Sequence, residues 1–279
     1  MIINLFKTQF RDTWRISKWT LFALLTLVVV NTLFGFLKLT IINIIFTFIN
    51  VLAIIAVIYA NQILIVINDY KNFHGQRSYF YQAIPANTKD LFWSRFLHYS
   101  AITLIVGLLT ILTAFIMLVS ILSVLDLPVM NILRSAWAFI TSSFNIYWVL
   151  SIGLFILNFF TSVFTLMFSV TIGSDQRLQR LSFAGPILVY IVISFLIQIV
   201  SLIFIFLFPF YILFSMDPSQ NFHITTSLHT ASFLQMVESI GSTSNQNILP
   251  LGVYFSFLPT LIVLPIVTYR FMKNRVSIR

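Results

Sequence analysis

The side chains with the richest chemistry in this chain are few and stand apart. His223 and His229 share a polar stretch with Asp217 and Glu238. A zinc site needs three or four ligands at fixed geometry. Two histidines six residues apart in a loop fall short of that, so they read as surface residues. His98 lies at the start of an apolar run, and no G-x-S-x-G or H-E-x-x-H accompanies it. G-x-x-x-x-G-K-[ST] is also missing, because no two of the eight glycines are five apart. The chain therefore cannot cradle nucleotide phosphates by that route. With no cysteine, disulfides, zinc–thiolate sites and cysteine nucleophiles are excluded. The expectation is a chain that is no enzyme and holds no cofactor or metal of its own.

What remains is uncharged polar chemistry inside apolar runs. Asn43, Thr47, Asn50 and Asn61 lie close to one face of a helix, as do Ser151, Asn158, Ser162, Thr165 and Ser169. Tyr190, Ser194, Gln198 and Ser201 follow at i, i+4, i+8 and i+11, and Thr103, Gly107, Thr110 and Ala114 form a small-residue face. Such faces avoid lipid because unpaired amides and hydroxyls are costly in hydrocarbon. Two readings compete: helix–helix packing through interhelical hydrogen bonds, or, for the second and fifth apolar runs, a translocation pathway or dimer seam built on Asn43, Asn50, Asn61, Gln198 and Ser201.

The elements that must position these residues are membrane helices. Of 279 residues, 59% are hydrophobic and 8% charged, against about 25% charged in a soluble domain. Mean hydropathy is +0.99. Six runs are long enough to cross a bilayer, at about 19–37, 41–67, 96–122, 147–172, 186–214 and 250–269. The first is too long for a signal-peptide core and no A-x-A-like site follows it, so it is expected to be retained. The predicted fold is all-α, a single transmembrane domain over 1–279 with no repeat. Within residues 1–18, Lys7, Arg11, Arg15 and Lys18 share one helical arc and Ile3, Phe6, Phe10 and Trp14 the next. This predicts an interfacial amphipathic helix whose basic side meets anionic headgroups, or else a plain basic flank.

The net charge is +9, yet the basic residues flank apolar runs, which points to topology and away from nucleic acid. With the N-terminus inside, Lys7, Arg11, Arg15, Lys18, Lys71, Arg77, Lys89, Arg95, Arg177, Arg180, Arg270, Lys273, Arg275 and Arg279 fall inside, fourteen of sixteen. Only Lys38 and Arg134 fall outside, and 215–249 contains neither Lys nor Arg. The asymmetry predicts both termini in the cytoplasm.

Segment 68–95 interleaves Tyr70, Phe73, Tyr79, Phe80 and Tyr81 with charges. Pro85 ends one short element, and Asn87 or Thr88 can cap the helix that follows. Exposed aromatics mixed with basic residues mark a docking surface; the alternative is a solvated loop that merely joins two spans. Here Phe73-His74-Gly75, Tyr79-Phe80, Ile84-Pro85, Leu91 and Ser94-Arg95 resemble a pattern in the permease subunits of ABC-2-type ATP-binding-cassette exporters of low-GC Gram-positive bacteria. His74 between Phe and Gly, Asn87 where Ser is usual, and Arg95 for Lys depart from it. The layout of six spans, a tight first outer hairpin and a longer outer segment between spans five and six is similar as well.

The resemblance implies a coupling helix within about 70–90 that docks on a separate ATPase, with Tyr70, Phe73, Gly75, Arg77, Tyr79, Phe80, Ile84, Pro85, Asn87, Lys89 and Asp90 in contact. Arg177 and Arg180, in the turn at 173–182, would form a second contact. It further implies two permeases, alike or different, with two ATPases carrying ATP and magnesium, in a bacterial cytoplasmic membrane. Segment 215–249 would partly re-enter the outer leaflet. An amphipathic or hydrophobic cargo (peptide, lipid or drug) suits the uncharged interior. The alternative is a non-transporting membrane scaffold without an ATPase.

Overall fold

The computed structural model describes residues 2–73, 87–125, 127–142, 146–175, 178, 181–208, 210–217, 223–230 and 246–276. Among these are seven helices and three strands. Six of the helices are long and apolar enough to cross a membrane, so the chain is a multi-pass membrane protein.

The first helix, α1, runs unbroken over Ile2–Phe36. Its 35 residues span about 52 Å at ~1.5 Å per residue. The expected division near residue 18 into an interfacial helix and a separate span does not occur. No proline or glycine stands before Gly35 to break the helix. Leu5, Gln9, Thr13, Ser17 and Leu21, one helical turn apart, continue the buried stripe down to the N-terminal end. Lys7, Arg11, Arg15 and Lys18 are exposed on the other side.

The turn into α2, Thr40–Phe73, is a Schellman cap. Lys38 adopts φ 56°, its N–H donates to Gly35 O, and Leu39 N–H donates to Phe34 O at 3.1 Å. The helix extends one and a half turns beyond the expected end at 67. Helix α3, Thr88–Val124, likewise begins before the expected 96, with Asn87 at its N-cap. The Asn87 backbone is extended there, but its side chain makes no capping bond. Both α2 and α3 pack on α1 and on each other.

Helix α4 covers Val129–Ser142, where a loop was expected. Helices α5, Ile146–Gly173, and α6, Ala184–Leu207, follow. The fifth span thus stops short of the expected 214. Pro209 cannot extend a helix, and the apolar residues after it form strand β1, Phe210–Asp217. Strands β2, His223–Thr230, and β3, Gln246–Pro250, flank β1 in an antiparallel sheet of order β2-β1-β3. The expected all-helical fold therefore carries a small sheet between its last two spans. The register sets Asp217 opposite His223 and Tyr211 opposite His229. Six residues along one strand separate the two histidines by about 20 Å, too far to share an ion. Helix α7, Gly252–Val276, completes the chain and contains Pro259 and Pro265.

Two compact units emerge. One combines Met1–Ile132, Leu166–Tyr190 and Val267–Arg279; the other combines Leu133–Thr165 and Ile191–Ile266. The first holds the buried Asp69 and Arg95 and the polar side chains around them.

Candidate functional site

In the first unit, Thr13 pairs with Asn68 and Thr20 with Asn61, at 2.7 and 3.1 Å. Both pairs step seven residues along each helix, so one antiparallel register joins α1 to α2. The same register sets Gln9 level with Asn72, four residues further on. Both are fully enclosed at 0% exposure. Neither side chain has a hydrogen-bond partner among the described residues.

The charged centre sits at this end of the unit. Asp69 on α2 is 1% exposed and Arg95 on α3 2% exposed. The Arg95 guanidinium donates to Asp69 Oδ2. The same oxygen accepts from the Tyr99 hydroxyl at 2.6 Å. Arg95 also lies 4.8 Å from the centre of the Phe73 ring, and its other terminal nitrogen faces Thr171 Oγ1 on α5 at 3.5 Å and Met272 Sδ on α7 at 3.7 Å. One turn from Arg95, His98 Nε2 shares a 2.9 Å hydrogen bond with Thr13 Oγ1, which also accepts from Asn68. A chain of side chains thus ties α1, α2 and α3 together, with α5 and α7 touching Arg95.

A pair of charges withdrawn this far from water persists only when paired and hydrogen-bonded. The arrangement is a mechanical joint between the end of α2 and the start of α3. It holds no group poised as a nucleophile, and no cluster of three metal-ligating side chains occurs among the described residues.

A second polar knot forms towards the other end of the same helices. Asn43 Nδ2 donates to Asn31 O at 3.0 Å, Asn31 Oδ1 at 3.2 Å and Ser120 Oγ at 3.0 Å. Asn31 Nδ2 donates to Thr47 Oγ1 at 3.3 Å. Gly35 permits this approach: a methyl group there would overlap Ser120 Oγ and lie 3.2 Å from Asn43 Nδ2.

The residues singled out from the sequence can now be placed. Asn43, Asn50 and Asn61 are enclosed within the first unit. Asn43 and Asn61 bond to neighbouring helices, whereas Asn50 has no partner among the described residues. Gln198 is exposed in the middle of α6. Ser201 donates to Ser256 at 3.1 Å. Thr110, Thr165 and Ser169 return their hydroxyls to carbonyls of their own helices. Of the docking set, Tyr70 is buried, Phe73 stacks on Arg95, Asn87 and Lys89 are exposed and Asp90 is half-buried. Gly75, Arg77, Tyr79, Phe80, Ile84, Pro85, Arg177 and Arg180 lie outside the described residues.

Asp69, Tyr99, Thr13 and Asn68 were not singled out from the sequence, and Arg95 was read only as a topology charge and a motif end. The available signal was an acid closing one apolar run and a base opening the next. Residues 74–86 between them separated the two in sequence and concealed their proximity.

The knot predicts opposite outcomes for two asparagines on one helix. Asn43→Leu removes a donor from Asn31 and Ser120 and is expected to cost about 1–2 kcal/mol. Asn50→Leu replaces an unpartnered buried amide and is expected to be neutral or stabilising. Thermal melts of the purified variants, followed by size-exclusion chromatography, measure both; equal losses would contradict the partner assignment.

Comparison of the chain with known protein families, curated proteins and solved structures returned no match.

Proposed function

We propose that the chain is the membrane-spanning permease subunit of an ABC-2-type exporter in a bacterial cytoplasmic membrane, with both termini in the cytoplasm. Two copies of a separate ATPase bind ATP and magnesium, and a second permease completes the pathway. The observation that carries this reading is the Asp69–Arg95–Tyr99 clamp, which joins the two helices, α2 and α3, that flank residues 74–86 in the chain. A docked ATPase needs a stiff connection to the membrane helices. A segment whose two flanking helices are fastened together transmits displacement to both as one body, as a rigid-body switch requires.

The exposed Lys7, Arg11, Arg15 and Lys18 of α1 support a cytoplasmic N-terminal end resting against anionic headgroups, with Phe6 packed on Phe10 and Phe10 stacked on Trp14 along the neighbouring arc. Gln198, exposed midway along an apolar span, suits a seam with the second permease or the cargo route. The amphipathic or hydrophobic cargo follows from spans whose centres carry no charged residue.

Arg77→Glu is expected to abolish co-purification with the proposed P-loop ATPase partner while leaving the permease monodisperse. ATPase binding at parental level by this variant would remove Arg77 from the docking surface. Failure of the parental chain to retain any ATPase would favour a non-transporting scaffold.

A further inference from the structure

Helix α4 has 14 residues and reaches only about 21 Å, short of the ~30 Å hydrocarbon core. Wound at 100° per residue, Val129, Ile132 and Leu133 share one side, and Asn131 and Arg134 share the other. Met130 and Trp137 stand where the two sides meet on one flank. The structure leaves these two 63% and 68% exposed. Asn131 and Arg134 are exposed, while Ile132 and Leu133 are half-buried. The helix therefore offers a large apolar flank beside a cation and contains no acid.

Its attachments decide what meets that flank. Four residues separate the end of the spanning helix α3 from the start of α4, and three separate the end of α4 from the start of α5. Both ends of α4 are thus tethered near the places where spans leave the membrane. A helix with one apolar side, one polar side, a Trp and an Arg, held there and too short to cross, matches the boundary between acyl chains and headgroups.

We infer that α4 is a surface anchor that binds phospholipid, with Met130 and Trp137 at the headgroup–acyl boundary and Asn131 and Arg134 towards water. Three spans precede it, so the leaflet is the one opposite the N-terminal end. The inference needs the six spans but no ATPase partner.

The cysteine-free sequence makes the test direct. Met130→Cys, Asn131→Cys, Arg134→Cys and Trp137→Cys are made singly in the full chain and reconstituted into phosphatidylcholine–phosphatidylglycerol vesicles. A membrane-impermeant maleimide is expected to label positions 131 and 134 at least ~10-fold faster than 130 and 137. Equal labelling at all four would place the whole helix in water and overturn the inference. A nitroxide on Met130→Cys separates lipid from protein cover: relaxation by oxygen but not by a water-soluble nickel chelate is expected. Shielding from both would mean that a protein surface covers the flank, which also overturns it.

Discussion

Arg95→Ala is expected to destabilise the protein by about 3–5 kcal/mol, the usual consequence of leaving a buried charge without its partner. Without the guanidinium, the Asp69 carboxylate keeps only the Tyr99 hydroxyl on Oδ2; its Oδ1 has no partner among the described residues. Asp69→Ala has a comparable expected effect. It strands a cation against the Phe73 ring, Thr171 and Met272. The double variant Asp69→Leu/Arg95→Met is expected to recover most of the loss, since well-packed apolar residues often replace a buried ion pair at little cost. Thermal melts of the three variants in one detergent give the comparison. A single variant that melts with the parent would mean that the pair bears no structural load. The recovered double variant then tests the functional proposal. If the clamp only stabilises, it should transport normally; if its geometry also transmits motion from 74–86, it should fold and bind ATPase yet lose coupling.

Gly173→Val is expected to cost about 3 kcal/mol or more, because it overpacks a contact that cannot relax. A side chain at Gly173 would overlap the backbone of Pro186 and come within 2.8 Å of Gly185 C. The reciprocal contact is as close: a methyl on Gly185 would stand 2.6 Å from Gly173 O. These are main-chain atoms, so no rotamer change relieves the overlap, and the end of α5 would separate from the start of α6. Gly107→Ala is the matched control. Nothing lies within 4 Å of that position, and an alanine there should add about 0.5–1 kcal/mol through helix propensity. If both variants melt alike, the close crossing is not what holds the end of α5 against the start of α6.

The membrane spans were legible because hydrocarbon demands long uninterrupted apolar runs, which composition alone displays. Their ends were less so. The continuations of α2 and α3 beyond the apolar runs contain Asp69, Lys71 and Arg95, which hydropathy assigns to loops. The N-terminal part of α1 misled differently. Its basic arc of Lys7–Lys18 matches the exposed side and its aromatic arc of Phe6–Trp14 is half-buried, but the buried stripe of Gln9, Thr13 and Ser17 is polar and carries no hydrophobic signal. The asparagine face of α2 was readable as a face, while the partners Asn31, Thr20 and Ser120 depend on register between helices. Strand β1 hid inside an apparently continuous apolar run, since short apolar segments do not distinguish strand from helix by periodicity.

The separation of Asp69 and Arg95 along the chain has a consequence for biogenesis. The α1–α2 hairpin brings its own partners for Asn43, Asn61 and Asn68, so it can settle into the bilayer as soon as it is made. Asp69 cannot, because its guanidinium follows 26 residues later, about 1–5 s of synthesis at ~5–20 residues per second. During that interval the carboxylate must stay near water, because a lone charge is costly in hydrocarbon. Arrival of α3 then fixes the hairpin in place, which makes the order of translation part of how the first three helices assemble.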